Sequence, residues 1–317
     1  KTLLNIIIMK IGIIGNGFVG KATLELSCKD IDILVYDINP DLCIPANTKF
    51  SDLMKCKIIF ISVPTPMNKD GSCYLTIVED VINNLKSLKF SNFIVLRSTV
   101  PVGTCDKLNC YFMPEFLTEK NYINDFINNK EWIFGILKNK TDIQFKDCIL
   151  ELFNLAYKNN MIKSNKLTFM FNKEAELVKM FRNCFLATKV SFCNEIYEFC
   201  QNKDICYENV RKIATNDDRI LPSHTRVPGP DGKKGYGGTC FPKDTNSFKY
   251  EMEKVGVKPY ILNAVIEKNE TIEDKDSKNE ESNIVNIETE RKNSQITEEK
   301  NSTNEEPLIL TKEIKEV

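Results

Sequence analysis

The sequence predicts an α/β protein: a doubly wound parallel sheet of the Rossmann type, then an all-α central region and a disordered polar tail. Three observations carry that prediction. A strand, a glycine-rich turn, a helix and a second strand closed by an acid follow one another near the start. Short β-branched runs then alternate with helical stretches, as in parallel sheets built from βαβ units. From Asn172 onward the apolar period becomes that of one long helix.

The elements follow in order. Lys10–Ile14 is an apolar strand, and Gly15–Gly20 leads into a helix expected to run to about Ser27. A second strand, Ile33–Tyr36, ends at Asp37; β-branched runs follow at Ile58–Val63 and Phe93–Leu96, with a weaker one near Leu108–Phe112. A helical stretch is expected at Leu75–Leu88. From Asn172 to about Gln201, Ala175, Val178, Phe181, Phe185, Thr188, Phe192 and Ile196 recur at helical spacing, with Glu174 and Glu176 in the first turn, where they suit the dipole. Shorter helices are expected at Tyr207–Thr215, Asp244–Val255 and Pro259–Asn269. Met9 is read as a native start, with Lys1–Ile8 upstream of it.

Thr271–Val317 has no aromatic residue and no glycine, and carries 13 acidic against 7 basic residues. Such a segment buries too little apolar surface to offset its ordering entropy, so disorder is expected. The boundaries are therefore drawn at 9–171, 172–270 and 271–317.

Composition narrows the function. The chain has 317 residues, 42% of them hydrophobic, and a net charge of −1, without the basic footprint of a nucleic-acid binder. Its 12 cysteines include no CxxC pair and its one histidine is His224, so no metal site is expected. There is no secretory signal of the usual form and no apolar run of membrane-spanning length. The cysteines read as reduced thiols of a cytoplasmic protein.

Gly15-x-Gly17-x-x-Gly20, between strand and helix, is the context a dinucleotide fingerprint requires, and Phe18 and Val19 fill its variable positions. The first glycine permits the turn, the second admits a pyrophosphate, and the third lets helix and strand pack. Asp37, 20 residues after Gly17, suits a ribose 2′-hydroxyl and favours NAD over NADP. Thr65 and Thr99 follow later strands, where ligands of open α/β sheets sit, although threonine and proline also simply terminate strands. Glu115 and Glu119 are four apart and share a face if that segment is helical. Lys179 and Asn183 have the same spacing on the long helix; an apolar surround would suit Lys179 to proton transfer or donation, against the plainer reading of a snorkelling surface lysine. Gly235-Tyr-Gly-Gly-Thr-Cys-Phe-Pro-Lys-Asp244 places Cys240 beside Lys243 and Asp244, a setting for a thiolate nucleophile or, alternatively, a glycine turn before a structural cysteine.

Taken together, Gly15–Gly20, Val63–Pro66, Ser98–Thr104, Pro114–Glu119, Glu174–Asn183, Asp218–Ile220 and Val227–Asp244 resemble the UDP-glucose/GDP-mannose dehydrogenase family from about Lys10 to Asn269. Cys-Phe-Pro-Lys-Asp is similar to its glucose and mannose branches, and the Val227–Gly232 lead-in favours UDP-glucose. The resemblance implies an NAD-dependent double oxidation of a sugar C6 alcohol to the acid, with Cys240 forming a thiohemiacetal and then a thioester. It implies that Lys179 and Asn183 stabilise the oxyanion, that Asp244 handles water, and that Glu115 and Thr99 complete the proton network. Asp37, Thr65, Thr99 and Lys243 would contact NAD. Glu115, Glu119, Lys179, Asn183, Tyr236, Gly237 and Gly238 would bind the nucleotide sugar. Arg219 would reach a neighbouring subunit's substrate, implying a homodimer through the central helices.

Two departures stand out. Family members continue into a second Rossmann-like domain that grips the nucleotide; here a polar tail stands in its place, and a separate chain is one possible source of that half. Lys120 replaces the family glycine after the PEFL-x-Glu run. GDP-mannose oxidation and a non-catalytic NAD-binding chain are the alternative readings.

Overall fold

A computed structural model of the chain describes residues 8–272. Seven strands form one sheet: β1 Met9–Ile14, β2 Ile31–Tyr36, β3 Ile58–Ile61, β4 Phe93–Leu96, β5 Tyr111–Phe112, β6 Trp132–Ile136 and β7 Leu167–Phe171. Their order is β2-β1-β3-β4-β5-β6-β7. Side chains alternate across both buried faces: Ile11, Ile13, Phe60 and Val95 enter one apolar layer, and Ile14, Ile59, Ile61 and Leu96 the other. Because β1 lies between β2 and β3, the chain leaves it in opposite directions there, which opens a crevice at the carboxyl edge.

The helices over this sheet are α1 Phe18–Leu24, α2 Thr76–Ser87, α3 Thr104–Leu108, α4 Tyr122–Ile127 and α5 Asp142–Lys158. The first stops three residues short of the Ser27 expected for it, and α2 falls within the expected stretch. The weak run at Leu108–Phe112 divides, with Leu108 ending α3 and only Tyr111–Phe112 forming a strand.

The sheet is parallel except at one place, where β6 runs antiparallel to β5. Between them α4 is a helix of only six residues, too short to carry the chain back along the sheet as a parallel crossover requires. The 17-residue α5 then makes a full crossover, and β6 pairs with β7 in parallel from Trp132↔Leu167 to Ile136↔Phe171.

β7 runs directly into α6, Asn172–Asn202, the 31-residue helix the spacing predicts. Its first turns belong to the α/β layer: Ala175 enters the core, and Glu176 accepts the Gly103 and Cys105 N–H groups at 2.5 and 2.8 Å, capping α3. Its later turns pack on α8, Phe241–Lys254, and on a ninth helix, α9, over 260–272; α7 is Tyr207–Ala214. The helical part is thus a rod with short helices docked along it. The spacing that predicts α6 draws Ala175 and the phenylalanines into one apolar stripe, but the structure separates them. Ala175 is buried, while Phe181, Phe185 and Phe192 are each about 60% exposed.

The helix read as Pro259–Asn269 runs over 260–272, and the rest of the expected tail, 273–317, lies outside the described residues. Among the described residues no helix is long and apolar enough to cross a membrane.

Candidate active site

The turn after β1 is shaped by its glycines. Gly15 has φ +90°, and a Cβ there would stand 2.6 Å from the Ser62 carbonyl oxygen; a Cβ on Gly20 would collide with the Gly15 carbonyl. Gly17 is different, with nothing within 4 Å of the position its Cβ would take. That open space is where a ligand can touch backbone. Asp37 closes the far side: its Oδ2 accepts the Asn16 N–H at 2.7 Å and its Oδ1 the Asn39 N–H at 2.9 Å. Each oxygen keeps a lone pair for a hydroxyl. Asn16 Oδ1 and Ser62 Oγ are buried at the same edge without a protein partner. An open glycine, a carboxylate with spare acceptors and two orphaned polar atoms fit a dinucleotide.

A cavity of about 620 Å³ continues from this loop across the ends of β3 and β4 to the segment before α8. Gly17, Thr65, Thr99, Glu115, Cys240 and Lys243 are on its wall. The Thr65 hydroxyl donates to the Thr99 carbonyl at 2.9 Å, joining two of the strand ends.

Behind the wall α6 reaches two carboxylates. Lys179 Nζ lies 2.6 Å from Glu115 Oε1, with both side chains buried to within a few per cent. Asn183, one turn on, donates to Asp244 Oδ2 at 2.6 Å, and Lys243 Nζ meets Asp244 Oδ1 at 2.5 Å. Burial alone would raise the Glu115 carboxyl. Lys179, the Leu117 N–H at 2.9 Å and Arg97 outweigh it and hold Glu115 below its ordinary value. Lys179 is therefore a buried, paired cation and not a snorkelling surface lysine.

Cys240 caps the N-terminus of α8, where the helix dipole favours charge on sulfur. Burial nevertheless pushes its thiol above the ordinary value, as do Glu115 and Asp244, against the opposing effects of Thr239, 3.8 Å away, and Lys179. The resting group is a neutral thiol. This corrects the local reading of the sequence: Lys243 is spent on Asp244, and the cation that faces the sulfur is Lys179, 61 residues away in the chain.

The remaining sequence candidates are spread more widely. Pro114–Glu119 forms neither helix nor strand and ends in a turn, so Glu115 and Glu119 do not share a helical face; Glu115 is buried and Glu119 exposed. Gly238 lines the cavity. Tyr236 is buried with Ala187 and Val265 in the helical core, and Arg219 is exposed and paired with Asp217. Sequence reasoning missed Thr239 and Arg97. The latter follows an apolar strand and reads there as a strand-ending charge, yet its side chain is buried and lines the cavity.

Comparison with known proteins identifies the family. Residues 43–154 match the NAD binding domain of the UDP-glucose/GDP-mannose dehydrogenase family, and residues 173–271 match its central domain. The chain is 32% identical over 235 residues to UDP-glucose 6-dehydrogenase of Pseudomonas aeruginosa, covering 68% of this chain and 49% of that one. It is 30% identical over 283 residues to UDP-glucose 6-dehydrogenase YwqF of Bacillus subtilis, covering 75% and 61%. The chain thus spans between about half and three fifths of the length of these relatives. The fold is shared with a UDP-glucose dehydrogenase structure from Pyrobaculum islandicum, at a TM-score of 0.72 and 23% identity over 86% of this chain and 70% of that one. NAD is the cofactor of the matched domain, and the glycine loop and Asp37, which precede the matched residues, have a geometry that fits it. The two matches together cover well over half the sequence, and the chain belongs to the UDP-glucose/GDP-mannose dehydrogenase family.

Proposed function

We propose that the chain carries the machinery for NAD-dependent oxidation of UDP-glucose at C6, from alcohol through aldehyde to UDP-glucuronate, with Cys240 as covalent nucleophile. The observation that carries the reading is the convergence of one half-buried thiol with two buried carboxylates, each held by a side chain of α6, beside a cofactor-sized cavity.

When bound, NAD⁺ would accept one hydride, so the two oxidations consume two NAD⁺ in succession. The chain's residues handle everything else. Glu115, ionised and paired with Lys179, takes the C6 hydroxyl proton directly or through Lys179, with Thr99 beside it on the wall. Cys240 then adds to the aldehyde carbon. Its S–H proton passes to the aldehyde oxygen as the thiohemiacetal forms, and Lys179 and Asn183 stabilise the developing oxyanion. In the second oxidation the thiohemiacetal hydroxyl gives its proton to Glu115, which has released the first to solvent, and the C6 hydrogen leaves as hydride, so a thioester remains on Cys240. Water, held by Asp244, attacks its carbonyl, releasing the carboxylic acid and returning the proton to sulfur. A thiol kept neutral by burial suits this order, since the charge on sulfur is needed only during attack.

Thr65, Asp37 and Lys243 contact the cofactor in this reading, and Gly237, Gly238 and Glu119 line the path of the nucleotide. The exposed phenylalanines of α6 support a homodimer through that helix, with Arg219 offered to the partner's site.

The test is NADH stoichiometry. Wild type with UDP-glucose should give two NADH per sugar, and Cys240→Ser should lose the complete turnover. Protein that binds NAD⁺ but yields no NADH with millimolar UDP-glucose or GDP-mannose would leave a binding chain rather than an enzyme. NADH from GDP-mannose alone would move the substrate to the other branch.

A further inference from the structure

Arg97 is the one charged residue among the largest fully buried side chains of the described residues, at 1% exposure. It follows the last residue of β4 and turns toward α1. There Nη1 donates to Thr23 Oγ1 and, at 3.4 Å, to the Val19 carbonyl, while Cζ lies 5.5 Å from the centre of the Phe126 ring. Nε is buried with no hydrogen-bond partner. Among the described residues no carboxylate lies within 4.0 Å of the guanidinium, and the charge that faces it is Glu115. Glu115 is itself bonded to Lys179. Two buried cations therefore face one carboxylate that only Lys179 contacts, while Lys243 and Asp244 neutralise each other.

An apolar side chain would fill this place at far less desolvation cost, because an unpaired buried charge is among the most unfavourable features a core can hold. The charge needs a use that packing does not supply. Its surroundings indicate which: it holds the first turns of the cofactor helix, and it lines the same cavity as the Glu115 carboxylate. We propose that Arg97 is a positioning residue, a second buried cation on the cavity wall that acts on the Glu115 carboxylate through space and links the Glu115–Lys179 pair to α1.

This rests on the functional reading above in one respect, that Glu115 handles the C6 proton. With two cations against it, Glu115 stays ionised and in place even while Lys179 is drawn toward substrate oxygen. A single Lys179 partner would have to serve both. The groups that face Glu115 are Lys179 from α6, Arg97 from the end of β4, Cys240 ahead of α8 and the Leu117 N–H from its own loop. Those around Arg97 are Glu115, Thr23, the Val19 carbonyl and Phe126. Burial pulls the guanidinium down to about 10, with Glu115 opposing, so it remains charged throughout the neutral range.

The test compares Arg97→Met with Arg97→Lys in two measurements. The first is infrared titration of the Glu115 carboxylic acid band, identified by its loss in Glu115→Gln. It needs no turnover and so decides the role of Arg97 even if no sugar is oxidised. Arg97→Met should protonate Glu115 about one pH unit or more above wild type, the displacement expected when a nearby opposite charge is removed, and Arg97→Lys should restore most of it. The second is the pH dependence of kcat/KM, whose acid limb should move up by the same amount in Arg97→Met and return in Arg97→Lys. A folded Arg97→Met protein in which Glu115 titrates as in wild type would overturn the proposal and leave Arg97 as packing. If Arg97→Met does not fold, Lys179→Met decides: Glu115 stays ionised at neutral pH if Arg97 holds it, and is protonated there if Arg97 does not.

Discussion

Replacing Lys179 by Met removes one partner of a pair whose side chains are almost wholly buried and whose charged atoms are 2.6 Å apart. Breaking such a pair costs about 3–5 kcal/mol, because the surviving charge stays buried. Arg97 and the Leu117 N–H still face Glu115, so the lower end applies, about 3 kcal/mol, or roughly 6–12 °C in Tm for a body of this size. Glu115→Gln should cost more, about 5 kcal/mol, since it strands two cations without a carboxylate. The double variant removes both charges of the pair, leaving only Arg97 uncompensated, and should be more stable than the sum of the single losses predicts, by about 1–3 kcal/mol. Urea unfolding of the four proteins at neutral pH measures the cycle. The sign with pH also follows. In wild type the folded Glu115 pKa is below its unfolded value of about 4.5, so its contribution is present above that pH and lost as pH falls through the folded value. In Lys179→Met the acid slope should flatten. Additive single losses, or Glu115→Gln costing less than Lys179→Met, would refute this account of the charges.

Four further outcomes are expected. Gly15→Ala should destabilise the chain by about 1–3 kcal/mol, because φ is +90° and the new Cβ meets the Ser62 carbonyl. Gly17→Ala, with open space around it, should leave urea stability within about 0.5 kcal/mol of wild type and weaken NAD⁺ binding by about tenfold in calorimetry. Phe185→Glu should give a monomer in sedimentation without loss of stability, since Phe185 is about 60% exposed and stacks only on Phe181, with ring centres 6.1 Å apart; a persistent dimer places the interface elsewhere. Alkylation of Cys240, followed by mass spectrometry against Cys240→Ser, should accelerate only above its ordinary pKa of 9.0, and a plateau below pH 8 would show a resting thiolate.

What was legible in the sequence was local. Gly15, Gly17, Gly20 and Asp37 lie within one βαβ unit whose turn chemistry fixes their roles, and the structure returns that unit with only α1 shortened. Strands β6 and β7 carried no comparable signal: Trp132–Ile136 has a glycine in it, and every residue of Leu167–Phe171 is only half-buried or exposed, so neither alternates cleanly. The spacing of Lys179 and Asn183 was readable, but not their partners. Glu115 is 64 residues from Lys179, and Asp244 is 61 from Asn183. Local reading therefore gave Cys240 its nearest charged neighbour in sequence, Lys243, where the fold supplies Lys179.

The two faces of α6 give the site its unity. Lys179 and Asn183, one turn apart, hold Glu115 from the α/β layer and Asp244 from α8. Phe181 and Phe185 follow each of them by two residues, about 200° around the helix, and so stand on its opposite side. The sequence contains one helical period but two functions for it, which is why a single apolar stripe could be drawn through residues that the structure divides between core and surface. A second copy seated on the phenylalanines would press directly behind the residues that grip both carboxylates. The homodimer proposed above would thus bear on the geometry at Glu115 and Asp244 as well as on the place of Arg219. Phe185→Glu tests this through the pH dependence of turnover as well as through mass: a monomer whose acid limb moves has lost part of the geometry that α6 imposes.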